Sequence, residues 1–184
     1  MYKNGIVITG PIGSGKSEAL KIISKLGYPT IDLDVVSNKI LESDDGIKFL
    51  TLNFHDCVDN DEVNRAKLAN VVFSNKDKLL LLEGFLHPKV EEHLTSVLKQ
   101  NDNLTFIEVS APKNVINLFK CFVIWSPRET RIKRLLNRGM DMEDITKRMN
   151  NQPNDDWWYS IGKLIENDFI EELERKLNQE IQKL

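Results

Sequence analysis

The sequence predicts an α/β fold, a parallel sheet flanked by helices, and three observations carry that expectation. Residues 5–9 (GIVIT) are a short β-branched run that ends abruptly at Gly10, as a buried strand does. Beyond a glycine-rich loop, Ala19, Ile22, Ile23 and Leu26 recur at helical spacing until Gly27 stops the pattern. Extended character then returns in YPTIDLD, so that strand, loop, helix and strand form a βαβ unit.

The elements follow in order. Val35 to about Gln100 reads as mostly helical, with breaks at Asp44-Asp45-Gly46 and across Asp56–Asp61. Residues 104–109 (LTFIEV) and 120–125 (KCFVIW) return to strand character, and APKNVINLF between them fits neither pattern. Ser126-Pro127-Arg128-Glu129 predicts a helix start: serine as cap, proline in the first turn, glutamate closing a capping box. That helix runs to about Arg138, where Gly139 ends it. Asp141–Asn151 reads as a further helix, followed by a polar break through Asp156. KLIEN (163–167) is the last strand, and Phe169, Leu173, Leu177 and Ile181 step along a terminal helix.

The loop after the first strand carries the chemistry. Gly10-Pro11-Ile12-Gly13-Ser14-Gly15-Lys16-Ser17 matches G-x-x-x-x-G-K-S/T between a predicted strand and a predicted helix, the context this phosphate-loop motif requires. Its glycines let backbone N–H groups approach phosphate oxygens, and the positive end of the helix dipole favours the same anion. Lys16 is placed to reach the β- and γ-phosphates of ATP, and the Ser17 hydroxyl to hold Mg²⁺.

Asp32 and Asp34 lie at the C-terminal end of the second predicted strand, where ligands bind in open parallel sheets. If the extended pattern persists, they point to opposite faces. A carboxylate there can accept the proton of an attacking hydroxyl or order a metal. Asp34 can equally cap the helix that VVSNKI begins. Spacing alone leaves both readings open. Glu108, ending the FIE run, is a further candidate for the metal shell, whereas Glu83 in LLLLE (79–83) falls inside a helical segment.

Five of the seven arginines, Arg128, Arg131, Arg134, Arg138 and Arg148, fall in one short stretch. Guanidinium groups suit phosphates, and phosphoryl transfer needs positive charge as the transition state develops. Arg134 and Arg138 are therefore candidate ATP contacts, Arg138 the preferred one.

Bulk properties bound the partners. The 184 residues fit one domain with smaller subdomains, and a net charge of −3 gives no global attraction to nucleic acid or acidic membranes. Cys57 and Cys121 lie far apart and read as ordinary buried residues, and the three histidines lack metal-ligand spacing. Without a signal peptide or a membrane-length apolar run, the expectation is a cytoplasmic chain, monomeric by default.

Taken together, these segments resemble the dephospho-CoA kinases, over nearly the whole chain and in the same order. The likeness runs through ITGPIGSGKS, IDLD, NDEVNRAKLANVVF, FLHPKV, the Ser126-Pro127 helix with Arg134 and Arg138, Gln152, and IEN. The Arg65…Phe73 segment followed by His87-Pro88 is its most diagnostic part. The resemblance implies ATP and dephospho-CoA as substrates, Mg²⁺ as cofactor, and Asp34 as the base that activates a ribose 3′-hydroxyl. Arg65 and His87 become acceptor-side residues. It further implies one P-loop kinase domain with a core (about 1–34, 104–138 and 163–184), a helical acceptor-binding subdomain (about 35–100) and a lid (about 139–162).

The sequence departs from the family pattern at several points. Asn38 and Lys39 follow the acidic pair where an arginine is usual, EVSAPKN replaces P-L-L-x-E, and Trp157-Trp158 stand where a basic residue is frequent. A nucleoside or nucleotide kinase of the same fold, a nucleotide-driven switch and a degenerate nucleotide binder are the rival classes. No N-K-x-D marks a guanine site.

Overall fold

The computed structural model describes residues 4–100 and 102–184; residues 1–3, which the sequence reading places in the core, lie outside them. The chain divides into two compact units, one of Met1–Asp32 with Asn101–Leu184, the other Leu33–Gln100.

The first unit is built on five parallel strands: β1 (Gly5–Thr9), β2 (Thr30–Asp32), β5 (Thr105–Glu108), β6 (Lys120–Trp125) and β7 (Lys163–Glu166), in spatial order β2-β5-β1-β6-β7. β1 is buried throughout because strands pair with it on both sides, Val7 facing Ile107 across one ladder and Cys121 across the other. Its β-branched run therefore has no solvent face to serve. Helix α1 (Lys16–Lys25) buries Ala19, Ile22 and Ile23, and α9 (Ile170–Ile181) buries Leu173, Leu177 and Ile181 in the same core as Ile6, Ile8, Phe106 and Phe122. Phe169 does not join that stripe: it is the N-cap residue of α9 and 70% exposed.

Between β6 and β7 run α6 (Arg128–Asn137), α7 (Met142–Asn150) and α8 (Asp155–Ser160). Asp141 caps α7, accepting from Asp144 N at 2.8 Å, and Asn154 caps α8, accepting from Trp157 N at 3.1 Å. Each such cap contributes about 1 kcal/mol. The Asn154 cap creates a short helix where the sequence reads only a polar break. α8 seats Trp158, 1% exposed, edge-on to Trp157 at 4.9 Å. The capping box expected at Ser126 is absent. Pro127 takes the N-cap position of α6 with no side-chain cap bond, and the Ser126 hydroxyl is spent elsewhere.

The second unit holds α2 (Leu33–Leu41), α3 (Asp44–Asn53), α4 (Arg65–Ser74) and α5 (Lys76–Gln100), packed on Leu41, Leu50, Phe54, Leu68, Val72 and Leu82. Asp44 and Asp45 open α3 rather than break a helix, since acidic residues suit a first turn and Ser43 Oγ accepts from Gly46 N. The polar break at Asp56–Asp61 holds the first strand and the turn of a hairpin, β3 (Val58–Asp59) with β4 (Glu62–Val63). Asn60 and Asp61 supply the two positive φ angles, 51° and 62°, of its turn. LLLLE lies wholly within α5, which continues through His87-Pro88.

The acidic pair corrects one expectation. β2 stops at Asp32, and Asp34 belongs to the first turn of α2 rather than to an extended strand. Asp32 is the last residue with a ladder partner, Glu108, so nothing holds the backbone extended beyond it. A carboxylate in a helix first turn is also favoured by the dipole.

Candidate active site

The loop leaves β1 at its C-terminal end, where parallel sheets place their ligands. Gly10 (φ 147°) and Gly15 (φ 98°) hold conformations closed to most side chains. Space closes them too. A Cβ on Gly10 would lie 2.0 Å from Ile124 O, and one on Gly15 would lie 2.1 Å from Asn167 Nδ2. Pro11, Gly13 and Ser14 are buried and Ile12 half-buried, and the loop closes on itself with Ser14 N donating to Pro11 O at 3.2 Å. Lys16 Nζ folds back over the loop, donating to Gly10 O at 3.0 Å and to Pro11 O at 3.4 Å.

Ser17, in the first turn of α1, donates its hydroxyl to Glu108 Oε1 at 3.1 Å. Glu108 ends β5 and is 6% exposed, and Asp32 stands beside it in register at the end of β2. Ser17, Thr30, Asp32 and Glu108, with Lys21, line a cleft of about 410 Å³. A hydroxyl beside a carboxylate is a hard-oxygen donor set, and it fits Mg²⁺.

Behind the loop, two donors converge on one carbonyl, with a hydroxyl beside them. Ser14 O accepts from Asn167 Nδ2 at 2.7 Å and from Arg134 Nη1 at 3.3 Å, and Ser126 Oγ lies 3.4 Å from it. These groups also bind one another: Arg134 Nη1 donates to Ser126 Oγ at 2.8 Å, Arg134 Nη2 to Asn167 O at 2.8 Å, and Ser126 Oγ to Asn167 O at 2.6 Å. Arg134, expected to contact phosphate directly, thus bonds the backbone of the loop. Burial pulls its pKa below the usual guanidinium value, as the nearby Arg138 does, while Asp168 pulls it up. Arg131 is 5% exposed; its Nε donates to Ser126 O at 2.9 Å and its Nη2 pairs with Asp155 at 3.4 Å. Gln152, between α7 and α8, accepts from Ile12 N at 2.8 Å. Arg138, at the C-terminal end of α6, is exposed.

The remaining expected site residues lie in the second unit. Asp34 is exposed in α2. Arg65 opens α4 and pairs with Glu42, and His87 lies exposed in α5. The first unit therefore gathers Gly10–Ser17, Arg134 and Arg138, while Asp34, Arg65 and His87 belong to the second. Sequence reasoning missed Asn167, Ser126 and Gln152 as partners of the loop. IEN and Gln152 were legible as segments, but nothing local tied their side chains to residues 112 to 153 positions away.

Comparison with known proteins agrees with this arrangement. The sequence profile of the family described as Dephospho-CoA kinase matches residues 5–169. A Helicobacter pylori protein named Dephospho-CoA kinase is 33% identical over 146 residues, covering 75% of this chain and 74% of that protein. Among solved structures, TT1252 from Thermus thermophilus superposes with a TM-score of 0.87 at 30% identity, over 98% of this chain and 97% of that one. A dephospho-CoA kinase from Campylobacter jejuni superposes with a TM-score of 0.68 at 25% identity, over 100% and 98% respectively. A phosphate loop closed by buried donors, a hydroxyl–carboxylate pair at its mouth, and a match across most of the sequence agree: the chain belongs to the dephospho-CoA kinase family.

Proposed function

We propose that this chain transfers the γ-phosphate of ATP to the ribose 3′-hydroxyl of dephospho-CoA, giving coenzyme A and ADP, the last step of coenzyme A synthesis. The observation that carries the reading is the loop Gly10–Ser17, closed on the end of β1 with Ser17 against Glu108, in a chain of this family.

Amides at the start of α1 are those a helix leaves without intrahelical partners, and they donate to the β- and γ-phosphate oxygens. Lys16 exchanges its bonds to the Gly10 and Pro11 carbonyls for the same oxygens, a stronger, charge-assisted pairing. Arg138 adds positive charge as the transferring phosphoryl group develops its own. Asp34 accepts the proton of the 3′-hydroxyl while the ribose oxygen bonds to the γ-phosphorus and the bond to the β–γ bridging oxygen breaks. Arg65 and His87 hold the acceptor.

Among the described residues no group of three or more His, Cys, Asp and Glu could hold a metal unaided. Ser17 and Glu108 are the residues that would hold Mg²⁺, with phosphate oxygens and waters completing the shell. When bound, the ion neutralises phosphate charge.

The same reading divides the chain into a core (about 1–34, 104–138 and 163–184), an acceptor-binding subdomain (about 35–100) and a lid (about 139–162). A monomer in the cytoplasm is part of the proposal. No described helix is long and apolar enough to cross a membrane.

The test is mass spectrometry after incubation with ATP and Mg²⁺, offering dephospho-CoA beside a panel of nucleosides and nucleotides. Dephospho-CoA is expected to gain one phosphoryl group at the 3′ position. Unchanged dephospho-CoA with a phosphorylated nucleoside would move the chain to the rival kinase class, and ADP release without any acceptor product to the switch class.

A further inference from the structure

We infer that Asn167, with Arg134 and Ser126, is a positioning residue for phosphoryl transfer: it anchors the Ser14 carbonyl from behind the loop and thereby aims the Gly15 N–H into the phosphate cradle. The inference rests on the nucleotide-binding reading above and assigns a task to side chains at the rear of the loop.

The argument begins with one peptide plane. The chain contains no cis peptide bond among its described residues, so the Ser14 C=O and the Gly15 N–H point in opposite directions across a planar unit. Whatever fixes the carbonyl fixes the amide. Ser14 O faces Asn167 Nδ2 at 2.7 Å, Arg134 Nη1 at 3.3 Å and Ser126 Oγ at 3.4 Å, all on one side. The Gly15 N–H is therefore held toward the other side.

An isolated glycine-rich loop would not hold this orientation. Glycine flanked by soft dihedrals can turn a peptide over at little cost, which is the usual liability of such loops. Here the donors remove that freedom. Asn167 and Ser126 are buried, at 3% and 0% exposure, and Arg134 is half-buried, so water has little access to the carbonyl. They are also interlocked through the Arg134–Ser126, Arg134–Asn167 and Ser126–Asn167 bonds. Asn167 itself is fixed, its N–H donating to Trp125 O at 2.7 Å just past the β6–β7 ladder. The rigidity of the sheet thus reaches the loop through a side-chain amide.

The glycine at position 15 follows from the same contact. Asn167 Nδ2 occupies the space of a Cβ there, so the asparagine can approach only because residue 15 has none. Glycine and asparagine form a matched pair, 152 positions apart in the numbering. Arg134 receives a different task from that of Arg138: it supports the loop from behind while Arg138 stays exposed.

The test uses the full chain. Among its nine glycines only Gly15 follows a serine, so labelling with carbonyl-¹³C serine and ¹⁵N glycine gives a single carbonyl-correlated amide resonance, that of Gly15. ADP is the probe. In the native chain ADP should move this resonance downfield, as charge-assisted hydrogen bonding to phosphate does. In Asn167→Ala the ADP-induced displacement should shrink, ADP affinity and the KM for ATP should worsen about tenfold, and the KM for the acceptor should hold. If Asn167→Ala does not fold, Ser126→Ala carries the same measurements, since it leaves the Asn167 side chain in place and removes the hydroxyl that joins Arg134 to the Asn167 carbonyl. Native-like displacement and ADP affinity in a folded variant would overturn the inference while leaving the nucleotide reading intact. A native chain that binds no ADP would overturn both.

Discussion

Ser17 and Glu108 stand 91 positions apart, yet the serine hydroxyl donates to the glutamate Oε1 at 3.1 Å. The contact exists because β1 and β5 are parallel neighbours, with Ile8 in register with Glu108, and α1 begins just beyond the end of β1. One ladder therefore sets a hydroxyl and a carboxylate together at the mouth of the phosphate loop.

If that pair holds Mg²⁺, Glu108→Gln should raise the Mg²⁺ concentration for half-maximal activity about tenfold, the low end for residues that support a metal's ligands. The amide keeps the size and the acceptor but loses the charge. ADP binding measured without Mg²⁺ should stay at the native value. An unchanged Mg²⁺ titration would remove Glu108 from the metal shell.

Asp34→Asn separates the base from the nucleotide site. The substitution should lower kcat by at least about 10²-fold, the low end for a general base, with ATP affinity retained. Lys16→Ala is the contrast, because it should weaken ATP binding and turnover together. Turnover in Asp34→Asn close to native would mean that another group takes the proton, with Asp32 at the end of β2 the first to examine.

How much of this was legible beforehand depends on range. The phosphate loop could be read because strand, glycines, lysine and helix are contiguous, and so could the β-branched strands and the acidic first turns. Spacing leaves Asp34 open between a strand end and a helix start, because β2 ends where its partner β5 ends, a tertiary fact. Ser126 fits a capping box by spacing, yet its hydroxyl goes to Asn167 O, a buried alternative supplied by the residue that follows β7. Phe169 matches the four-residue stripe of α9 but precedes the helix, so the period does not apply to it. Asn167 was invisible as a loop anchor: one asparagine carries no pattern until the sheet brings it to Gly15.

Arg131 shows what a buried charge beside the loop does for stability. Its side chain is 6% exposed, whereas that of its partner Asp155 is 42% exposed. Arg131→Ala should cost about 3 kcal/mol in urea unfolding, because Ser126 O loses a donor and a packed side chain disappears. Asp155→Ala should cost less than about 1 kcal/mol, since half of that pair is in water. Equal losses would show that the ion pair, rather than the bond to the backbone, carries the effect.

The two cysteines give a pH-dependent test of the core. Both are buried and unpaired with each other. Burial raises the Cys121 thiol from 9.0 to about 11, and Cys57 is raised as well, by burial first and then by Asp56. A thiol whose pKa is higher folded than unfolded keeps its proton in the native state where the unfolded chain has released it. The Cys121 contribution to stability is then fully present below about pH 9 and is lost as the pH rises from about 9 to about 11. Unfolding free energy should fall across that window, and the difference between the native chain and Cys121→Ala should shrink with it, which isolates the thiol from lysines and tyrosines titrating nearby. At pH 8 a thiol-specific reagent should modify neither cysteine in the folded chain and both in urea, because only the thiolate reacts and the folded core withholds it. Rapid labelling of Cys121 in the folded chain at pH 8 would contradict this, placing its sulfur outside the packed base of β6.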